Sequence, residues 1–322
     1  EMEECMNGKI VVVNAEKIDY DHKMDFSAMG ENAEIYPDST AEEILARAEG
    51  AEVLVTKELP VDGELIRKLP ESVKLICEAG TGYNNIDLEA CRERGIMVCN
   101  VPSYSSERVA HTVIMMILNL SSSMVRQQRM LFEGNHDNFT KRLMVDHMEV
   151  NGKTLGIVGA GHIGRAVIRV AQAMDMKILA CSRRKKEDED GIHYVSLEEL
   201  LKESDYVSLH YPLTEETRHM IDKEKLALMK PTAFLINTAR GALIDEKALI
   251  EALQNGVIAG AGLDVQEEEP PREDSPLYTM DNVVLTPHMG WRGLETRQRL
   301  INLTAENIRA YMDGKPKNVI VG

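Results

Sequence analysis

The segment that most constrains the fold of this chain is Gly159–Gly164, GAGHIG, which fits the pattern G-x-G-x-x-G. It directly follows a strand-like run, LGIV, and directly opens a helical run, IGRAVIRVAQAM. In that context the first glycine permits a tight turn, the second lets a pyrophosphate approach the backbone, and the third lets helix and strand pack closely. Backbone amides at the start of the helix then face the anion. The segment therefore predicts a dinucleotide site in a parallel α/β domain.

Short runs rich in β-branched residues alternate with helical runs along the whole chain. The predicted strands are Ile10–Val13, Val53–Thr56, Val73–Cys77, Ile96–Cys99, Thr154–Val158, Lys177–Cys181, Tyr206–Leu209, Ala233–Asn237, Val257–Val265, Val283–Thr286 and Asn318–Val321. The predicted helices are Ala41–Ala48, Asp62–Leu69, Asp87–Arg94, Glu107–Leu120, Ile163–Met174, Leu197–Lys202, Lys223–Met229, Asp245–Leu253 and Gly293–Asp313. Strands separated by helices predict parallel sheets covered on both faces. Ser121–Val150 is more polar, which indicates a solvated connector or, alternatively, a helix and an arm that packs on a second subunit.

Bulk composition excludes several classes of function. The length of 322 residues indicates two domains, and the net charge of −16 without a basic patch argues against a nucleic-acid binder. No apolar run approaches the roughly 20 residues that a membrane span needs, and the acidic first residues are unlike a signal peptide. The five cysteines form no Cys-x-x-Cys pair, which predicts reduced thiols in a cytoplasmic protein. No cluster of histidines and cysteines has metal spacing, so no metal is expected.

The residues after the second strand of the glycine-loop domain bear on which dinucleotide is bound. In NAD sites, an acidic residue about 20 positions after the glycine loop forms hydrogen bonds with the ribose hydroxyls. Here Ser182 stands at that place, and Arg183 and Arg184 follow it. Arginines can pair with the 2′-phosphate of NADP, which an acid would repel. NADP is therefore favoured over NAD, with the alternative that these arginines are only solvated surface.

Three polar segments each follow a strand-like run in the second half of the chain. They are NTARG at 237–241, DVQEEEP at 264–270 and TPHMGW at 286–291. The carboxyl ends of parallel strands line a common crevice, so these segments should lie beside the glycine loop. A 2-oxo acid needs a guanidinium for its carboxylate and carbonyl, and a histidine to give a proton to the oxygen. A carboxylate beside the imidazole would hold its tautomer and favour its protonated form.

Taken together, these segments resemble the D-isomer-specific 2-hydroxyacid dehydrogenases. The resemblance rests on NTARG, GLDV-x-x-x-EP and TPH, and extends to AGTGYNNID at 79–87, VPSYS at 101–105 and SLHYPLT at 208–214. The ending TPHMGW, with Trp291, most resembles the branch of glycerate dehydrogenase/hydroxypyruvate reductase and glyoxylate reductase. The resemblance covers about residues 50 to 310.

The resemblance implies a role for individual residues. Arg240 would bind the substrate, His288 would be the acid/base, and Glu269 would be its carboxylate partner. Backbone amides at Thr81 and Gly82 would hold the substrate carboxylate. The positions expected to contact the cofactor, from the glycine motif and the resemblance together, are Gly159, Ala160, Gly161, His162, Ile163, Gly164, Ser182, Arg183, Arg184, His210, Tyr211, Pro212, Thr217, Thr238, Ala239, Asp264 and Gly290.

The resemblance also implies an architecture of two doubly wound parallel-sheet domains. A Rossmann cofactor domain at 102–291 would be inserted into a flavodoxin-like substrate domain formed by 1–101 and 292–322. The expected protein is a homodimer that moves a hydride between NAD(P)H and a small D-2-hydroxy or 2-oxo acid, with hydroxypyruvate and glyoxylate as the favoured substrates.

Other functions stay open at this point. A D-lactate or D-3-phosphoglycerate type of dehydrogenase is the alternative within the family, although the second would want an extra cation near the substrate loop and Thr81–Asn85 offers none. A formate-type enzyme usually carries Gln where this chain has Glu269. A non-catalytic, NAD-sensing interaction protein would not need Arg240, Glu269 and His288 together.

Overall fold

The computed structural model describes residues 8–184 and 186–322, which divide into two compact units. Unit 1 consists of the described residues up to Ser105 together with Arg292–Gly322, and unit 2 is Ser106–Trp291. The sequence placed the first boundary after Val101, four residues earlier. The predicted roles of these parts in binding substrate and cofactor stay predictions, because a division into compact units does not show what either one binds.

The structure contains thirteen strands and eleven α-helices within its described residues. The strands are β1 Lys9–Val12, β2 Ala33–Ile35, β3 Ala51–Thr56, β4 Leu75–Glu78, β5 Met97–Cys99, β6 Thr154–Val158, β7 Lys177–Cys181, β8 Ile192–Tyr194, β9 Tyr206–Leu209, β10 Phe234–Asn237, β11 Gly260–Leu263, β12 Val283–Leu285 and β13 Val319–Val321. The helices are α1 Ala41–Arg47, α2 Gly63–Lys68, α3 Leu88–Arg94, α4 Ser106–Ser121, α5 Met124–Phe132, α6 Asp137–Thr140, α7 His162–Ala173, α8 Leu197–Glu203, α9 Lys223–Leu226, α10 Glu246–Gln254 and α11 Leu294–Met312.

Unit 1 is built on a six-stranded sheet with the order β2-β1-β3-β4-β5-β13. The first five strands are parallel and follow the flavodoxin-like order 2-1-3-4-5. The last strand, β13, runs antiparallel to β5 and pairs Val319 with Cys99. The chain therefore returns to unit 1 after unit 2, as the family resemblance implied.

Unit 2 is built on a seven-stranded, wholly parallel sheet with the order β12-β11-β10-β9-β6-β7-β8. Counted from β6, this is the Rossmann order 3-2-1-4-5-6 with one further strand beyond β11. Successive residues of β10 face opposite sides of the sheet: Phe234 and Ile236 pack in one hydrophobic cluster and Leu235 packs in the other. Because both faces are buried, the strands read as nearly continuous apolar runs. The predicted fold class, two doubly wound parallel-sheet domains, is confirmed.

Local sequence explains where several helices begin and end. Thr40 caps α1 in a capping box, in which its hydroxyl accepts from the Glu43 amide at 3.3 Å and the Glu43 carboxylate accepts from the Thr40 amide at 2.8 Å. Asp87 caps α3 by accepting from Ala90 N–H, and Gly95 ends that helix in the left-handed conformation at φ +63°. Thr40 and Asp87 therefore fix the residues at which α1 and α3 begin.

Several predicted elements differ from the observed ones. The short strands β2 and β8 were missed, because three-residue edge strands carry too little pattern to be recognised. The predicted strand Val257–Val265 shortens to β11, since its start lies in turn structure after α10. The prediction that Ser121–Val150 is mainly a solvated connector is wrong at its start, where α5 and α6 form. The helix of the alternative is present as α5, and the packing of an arm on a second subunit stays a prediction.

Among the described helices, none alone is long and apolar enough to cross a membrane. Helices α4 and α5 together reach that length and composition, but a bend of 63° separates them.

Candidate active site

The predicted functional residues of unit 2 follow the carboxyl ends of β6, β7, β9, β10, β11 and β12, in loops or, for His162, Ile163 and Gly164, in the first turn of α7. These six strands are neighbours in one parallel sheet, so their following loops emerge at the same edge. In open α/β sheets this edge is where ligands bind.

The glycine loop between β6 and α7 has the geometry that a dinucleotide requires. Gly159 has φ +104°, which side chains rarely tolerate, and a Cβ on Gly164 would stand 2.4 Å from the Gly159 carbonyl oxygen. At Gly161 a Cβ would meet no described heavy atom within 4 Å, so space for a close ligand is open there. Gly161 is also the N-cap of α7 and provides no side-chain cap. The first-turn amides of α7 are therefore available to an anion, and these residues fit a nicotinamide dinucleotide.

The residues after β7 occupy the place where a ribose would be recognised. Ser182 donates its hydroxyl hydrogen bond to the carbonyl of Arg184, so its side chain is turned toward its own loop. Arg183 and Arg184 are exposed, and neither forms an ion pair within the described part of the chain. Two guanidinium groups thus stand beside this strand end without a carboxylate at Ser182.

The loop after β9 packs against the glycine loop. The Tyr211 ring covers Gly159, where a Cβ would lie 2.7 Å from ring carbon Cδ1. Burial lowers the pKa of His210 to about 4, and its Nε2 lies 2.9 Å from the Ser208 hydroxyl. His210 is therefore neutral at physiological pH and is a poor candidate for proton transfer. Thr217 donates from its hydroxyl to the Pro212 carbonyl at 2.7 Å, which shapes the loop from within.

The NTARG segment after β10 is held by its own asparagine. Asn237 donates to the Arg240 carbonyl at 2.9 Å and accepts from the Ala239 amide at 3.0 Å. The Arg240 side chain is half-buried, donates to the Ala239 carbonyl at 2.7 Å, and has no carboxylate partner among the described residues. The buried Thr238 hydroxyl finds no hydrogen-bond partner among them either. Within the described part of the chain, a guanidinium without a carboxylate partner and a hydroxyl without a hydrogen-bond partner thus lie on one loop, which indicates that a ligand binds here.

His288 and Glu269 form the central pair of the site. Nδ1 of His288 lies 2.8 Å from Oε2 of Glu269, and both side chains are partly exposed. The other Glu269 oxygen, Oε1, accepts from the Gln266 amide at 3.1 Å, which orients the carboxylate. His288 adopts the left-handed conformation at φ +50°. With Nδ1 engaged by the carboxylate, Nε2 is the nitrogen left for a substrate.

Asp264 holds the loop that carries His288. Its Oδ1 accepts from the Thr286 hydroxyl at 2.6 Å and from the Met289 amide at 2.9 Å, and its Oδ2 accepts from the Gly290 amide at 2.8 Å. Both oxygens of this buried carboxylate are thus occupied by the protein itself. The sequence predicted only cofactor contacts for Asp264 and Gly290, and those contacts stay predictions.

Gly241 is a position in the site where backbone packing requires glycine, and sequence reasoning did not single it out. A Cβ there would stand 1.9 Å from the backbone carbon and oxygen of Gln266. The loop of Arg240 can approach the loop of Glu269 only because this residue has no side chain. The glycine following the arginine in NTARG was the available signal.

Thr81 and Gly82 belong to unit 1, in the loop after β4. The Thr81 hydroxyl donates to the Val101 carbonyl at 3.0 Å, and Asn100 donates to the Thr81 carbonyl at 2.8 Å. Their predicted contact with a substrate carboxylate stays a prediction. Thr81–Asn85 contains no cation, as the sequence shows, but Nζ of Lys57 would be 3.1 Å from an ideal Cβ on the neighbouring Gly80. Lys57 was missed because it follows β3, a separate stretch of sequence.

Comparison with known proteins agrees with this site. Residues 114–290 match the family described as "D-isomer specific 2-hydroxyacid dehydrogenase, NAD binding domain". The matched range runs from within α4 through Gly290 and so includes the glycine loop, Arg240, Glu269 and His288. The chain belongs to the D-isomer-specific 2-hydroxyacid dehydrogenases, which are NAD-dependent oxidoreductases acting on a CH–OH donor.

Individual relatives refine the comparison. A protein named glyoxylate reductase from Korarchaeum cryptofilum is 43% identical over 265 residues, covering 81% of this chain and 80% of that protein. A protein named hydroxypyruvate reductase from Blautia hydrogenotrophica is 35% identical and covers 87% of this chain and 88% of its own length. The crystal structure of D-lactate dehydrogenase from Aquifex aeolicus, complexed with NAD and lactic acid, has a TM-score of 0.84 at 33% identity and covers 98% of this chain and 99% of that one. The chain is thus similar to enzymes of this family over nearly its whole length.

Proposed function

We propose that this protein reduces glyoxylate and hydroxypyruvate, reversibly and with a preference for NADPH. The observation that carries the proposal is the 2.8 Å contact between His288 Nδ1 and Glu269 Oε2, in the same unit as an arginine without a carboxylate partner among the described residues. The names of the two relatives described above support these two substrates over longer 2-oxo acids.

Arg240 is proposed to bind the 2-oxo acid. Its guanidinium stays charged at any working pH, so it can bind the substrate carboxylate and polarise the carbonyl. Asn237 forms hydrogen bonds with the Ala239 amide and the Arg240 carbonyl, and these bonds fix the backbone from which the Arg240 side chain extends. Replacing Arg240 should raise KM and lower kcat together, since it acts on both the bound substrate and the reacting carbonyl.

His288 is proposed to give the proton to the carbonyl oxygen. When bound, the nicotinamide supplies the hydride that adds to C2 and turns this oxygen into an alkoxide. His288 then donates from Nε2, while Glu269 holds the ring orientation and stabilises the imidazolium through Nδ1. In the reverse direction the same imidazole accepts the hydroxyl proton. In unit 1, the amides of Thr81 and Gly82 are proposed to hold the substrate carboxylate.

The cofactor preference is proposed from the end of β7. Ser182 lacks the negative charge that would repel a 2′-phosphate, and Arg183 and Arg184 are exposed beside it. A catalytic efficiency with NADPH that exceeds the efficiency with NADH is expected, and a clear preference for NADH would refute this part of the proposal.

We also propose that the protein is a cytoplasmic homodimer. Of the eleven exposed large hydrophobic side chains among the described residues, six lie between Met124 and Met144. Phe132 is 89% exposed and Phe139 is 79% exposed, which is unusual for a surface that faces only water. A second copy of this segment is the proposed partner. The four described cysteines are buried thiols, which supports a reducing compartment.

A substrate panel tests the proposal. Glyoxylate, hydroxypyruvate, pyruvate, 3-phosphohydroxypyruvate and a longer 2-oxo acid are assayed with NADPH and with NADH. The two- and three-carbon acids glyoxylate and hydroxypyruvate should give the highest kcat/KM. Preference for pyruvate would favour a D-lactate dehydrogenase, and absence of turnover with every 2-oxo acid would refute the proposal.

The acid/base role is tested by His288→Asn, with His22→Asn as a matched control. Both histidines have positive φ, +50° and +54°, and asparagine tolerates this conformation better than alanine does. His288→Asn should lower kcat by about 10² to 10⁴-fold, the usual contribution of a general acid. His22→Asn should leave kcat within about twofold, because this exposed residue lies in the part of unit 1 that carries no predicted site. Unaltered turnover in His288→Asn would discard the assignment.

A further inference from the structure

Two charged side chains are buried at the carboxyl edge of the sheet of unit 1, where the proposed function does not use them. Glu78 is the last residue of β4 and is 0% exposed, and Lys57 directly follows β3 and is 3% exposed. Charged residues are almost never fully buried unless they are paired. Their position directly precedes the loop that carries Thr81 and Gly82.

The Glu78 carboxylate joins two separate loops. Its Oε1 accepts from the Glu58 amide at 2.9 Å, and its Oε2 accepts from Asn85 Nδ2 at 2.9 Å. The same Asn85 nitrogen donates to the Leu59 carbonyl at 2.8 Å. One carboxylate thus ties the loop after β3 to Asn85, at the far end of the loop after β4.

The side chains of Lys57 and Glu78 both lie close to the backbone at the start of the substrate loop. An ideal Cβ on Gly80 would stand 3.1 Å from Lys57 Nζ and 3.2 Å from Glu78 Oε1. The Lys57 ammonium is 2.7 Å from Glu58 Oε1, so the cluster contains one cation and two carboxylates. Gly80 directly precedes Thr81, so this cluster lies beside the start of the segment that carries the proposed carboxylate-binding amides.

Keeping this carboxylate ionised is costly to the fold. Burial raises the pKa of Glu78 to about 7, against the opposing effects of the Asn85 hydrogen bond and the Lys57 charge, while the Glu58 charge adds to the rise. The Cys77 thiol is the other titratable group beside it. A buried polar cluster that costs stability is retained more readily when it serves binding.

We propose that Glu78 is a positioning residue for substrate binding, which through Asn85 and the Glu58 amide holds Ala79–Asn85 in the shape that presents Thr81 and Gly82 to the 2-oxo acid. This rests on the proposed function, because it takes that loop to be the site of the substrate carboxylate. Glu78 does not contact the substrate in this proposal; it acts through the loop.

The first test is Glu78→Gln, with Glu71→Gln as matched control. Glutamine has one acceptor oxygen where Glu78 serves two donors, so one of the two bonds is lost. We expect KM for glyoxylate to rise about tenfold, kcat to stay within about twofold, and KM for NADPH to stay unchanged. Glu71 is exposed in the same unit, so the same chemical change there should alter none of these constants.

A pH profile separates positioning from mere structural support. Protonation of Glu78 replaces an acceptor with a donor, so KM of the unmodified protein should rise as pH falls through about 7, the pKa to which burial raises this group. In Glu78→Gln this pH-dependent rise in KM should vanish, while the pH dependence that comes from the rest of the protein is common to both proteins. Parallel KM profiles in the two proteins would overturn the proposal.

A second variant and a measurement independent of turnover guard against failure to fold. Asn85→Ala removes the donor from the half-buried partner and leaves the buried charges in place. Hydrogen exchange of the amides in 79–85 should be faster in both variants and unchanged in Glu71→Gln. If the unmodified protein reduces no 2-oxo acid, the proposed function fails whatever the exchange shows. If it does reduce them, unchanged KM and unchanged exchange in both variants overturn the role of Glu78 alone.

Discussion

At the residue scale, the proposed chemistry depends on side chains that are held by hydrogen bonds from their neighbours. Asn237 holds the backbone of Arg240, Gln266 orients Glu269, and Asp264 holds the loop of His288. Asn237 is the last residue of β10, and Asp264 and Gln266 lie one and three residues beyond the end of β11. The reactive groups therefore inherit the rigidity of the sheet, which a general acid needs in order to stay within reach of its substrate.

Ser182→Asp tests the cofactor assignment at this scale. An aspartate at the end of β7 would repel a 2′-phosphate and could accept from the ribose hydroxyls instead. We expect kcat/KM with NADPH to fall at least about tenfold while kcat/KM with NADH stays equal or rises. NADH is the internal control, because a general loss of folding would lower both. An equal decrease with both cofactors would show that position 182 does not face the ribose.

The motifs in the sequence indicated which residue types would gather, but not how they are supported. NTARG and TPH pointed to Arg240 and His288, and the structure brings His288 and Glu269 together at 2.8 Å. The cluster of Lys57 and Glu78 could not be read in the same way. Lys57 follows β3 and Glu78 ends β4, and only the pairing of these two strands brings both residues to the same edge of the sheet.

At the element scale, the glycine loop and the NTARG loop use glycine for opposite reasons. Gly161 leaves space open, whereas Gly241 allows two backbones to touch. Both positions are glycine in the sequence. The sequence pattern alone does not show whether a glycine leaves room for a ligand or allows two backbone segments to pack together. The structure does, because an added Cβ meets no described atom at one position and meets backbone at the other.

Gly161→Ala should therefore affect mainly KM for NADPH, and Gly241→Ala should affect mainly thermal stability. Gly161→Ala should change Tm by less than about 2 °C while raising KM for NADPH about tenfold or more, since a methyl group fits the protein but blocks the pyrophosphate. Gly241→Ala should lower Tm by about 4 °C or more, because overpacking against the Gln266 backbone costs about 1–3 kcal/mol. Thermal unfolding and NADPH kinetics of both variants check this. A normal NADPH affinity in Gly161→Ala would contradict the proposed cofactor site.

The segment containing α5 and α6 makes a second prediction at this scale. Replacing both Phe132 and Phe139 with Asp should convert a dimer into monomers, because two charges would be buried without partners in the proposed interface. Light scattering measures the mass directly. Leu294→Asp, at a position that is 46% exposed on α11, is the control and should leave the mass unchanged. A monomeric unmodified protein, or a double variant that stays dimeric, would contradict the arm as the interface.

The same segment shows where sequence patterns stop being informative. Strands buried on both faces, such as β6, β7 and β9, were predicted to the residue, because a continuous apolar run has few other solutions. Residues 124–149 are mostly exposed, so burial imposes no period on them and α5 was not recognised as more than a possibility.

At the scale of the whole molecule, two sheets with different strand orders account for the architecture. The flavodoxin-like order of unit 1 and the Rossmann order of unit 2 each place loops at one carboxyl edge. The alternation of strands and helices predicted parallel sheets, but the order of the strands came from the family resemblance. The order of strands in a sheet depends on contacts between segments that are far apart in the sequence. The periodicity of apolar residues gives no information about such contacts.

The stability of the whole protein should depend on pH through Glu78. Burial raises the folded-state pKa of Glu78 from 4.5 to about 7, so its stabilising contribution is complete below about pH 4.5 and lost as pH rises through 7. This corresponds to about 3 kcal/mol of unfolding free energy. Unfolding by denaturant at pH 5 and pH 8 should show a smaller loss in Glu78→Gln than in the unmodified protein or in Glu71→Gln. Equal losses in all three would contradict a buried, titrating Glu78.

The antiparallel pairing of β13 with β5 has a consequence for how the chain is made. Cys99 and Val319 are partners in that pairing, although about 220 residues separate them along the chain. A ribosome adds about 5–20 residues per second, so on the order of ten seconds or more pass between the synthesis of the two strands. The sheet of unit 2 can form during that interval, while one edge of β5 stays unpaired until β13 has been synthesised. The nascent protein is therefore most vulnerable to aggregation through unit 1, because its first strands are synthesised before unit 2 and its last strand is synthesised after unit 2.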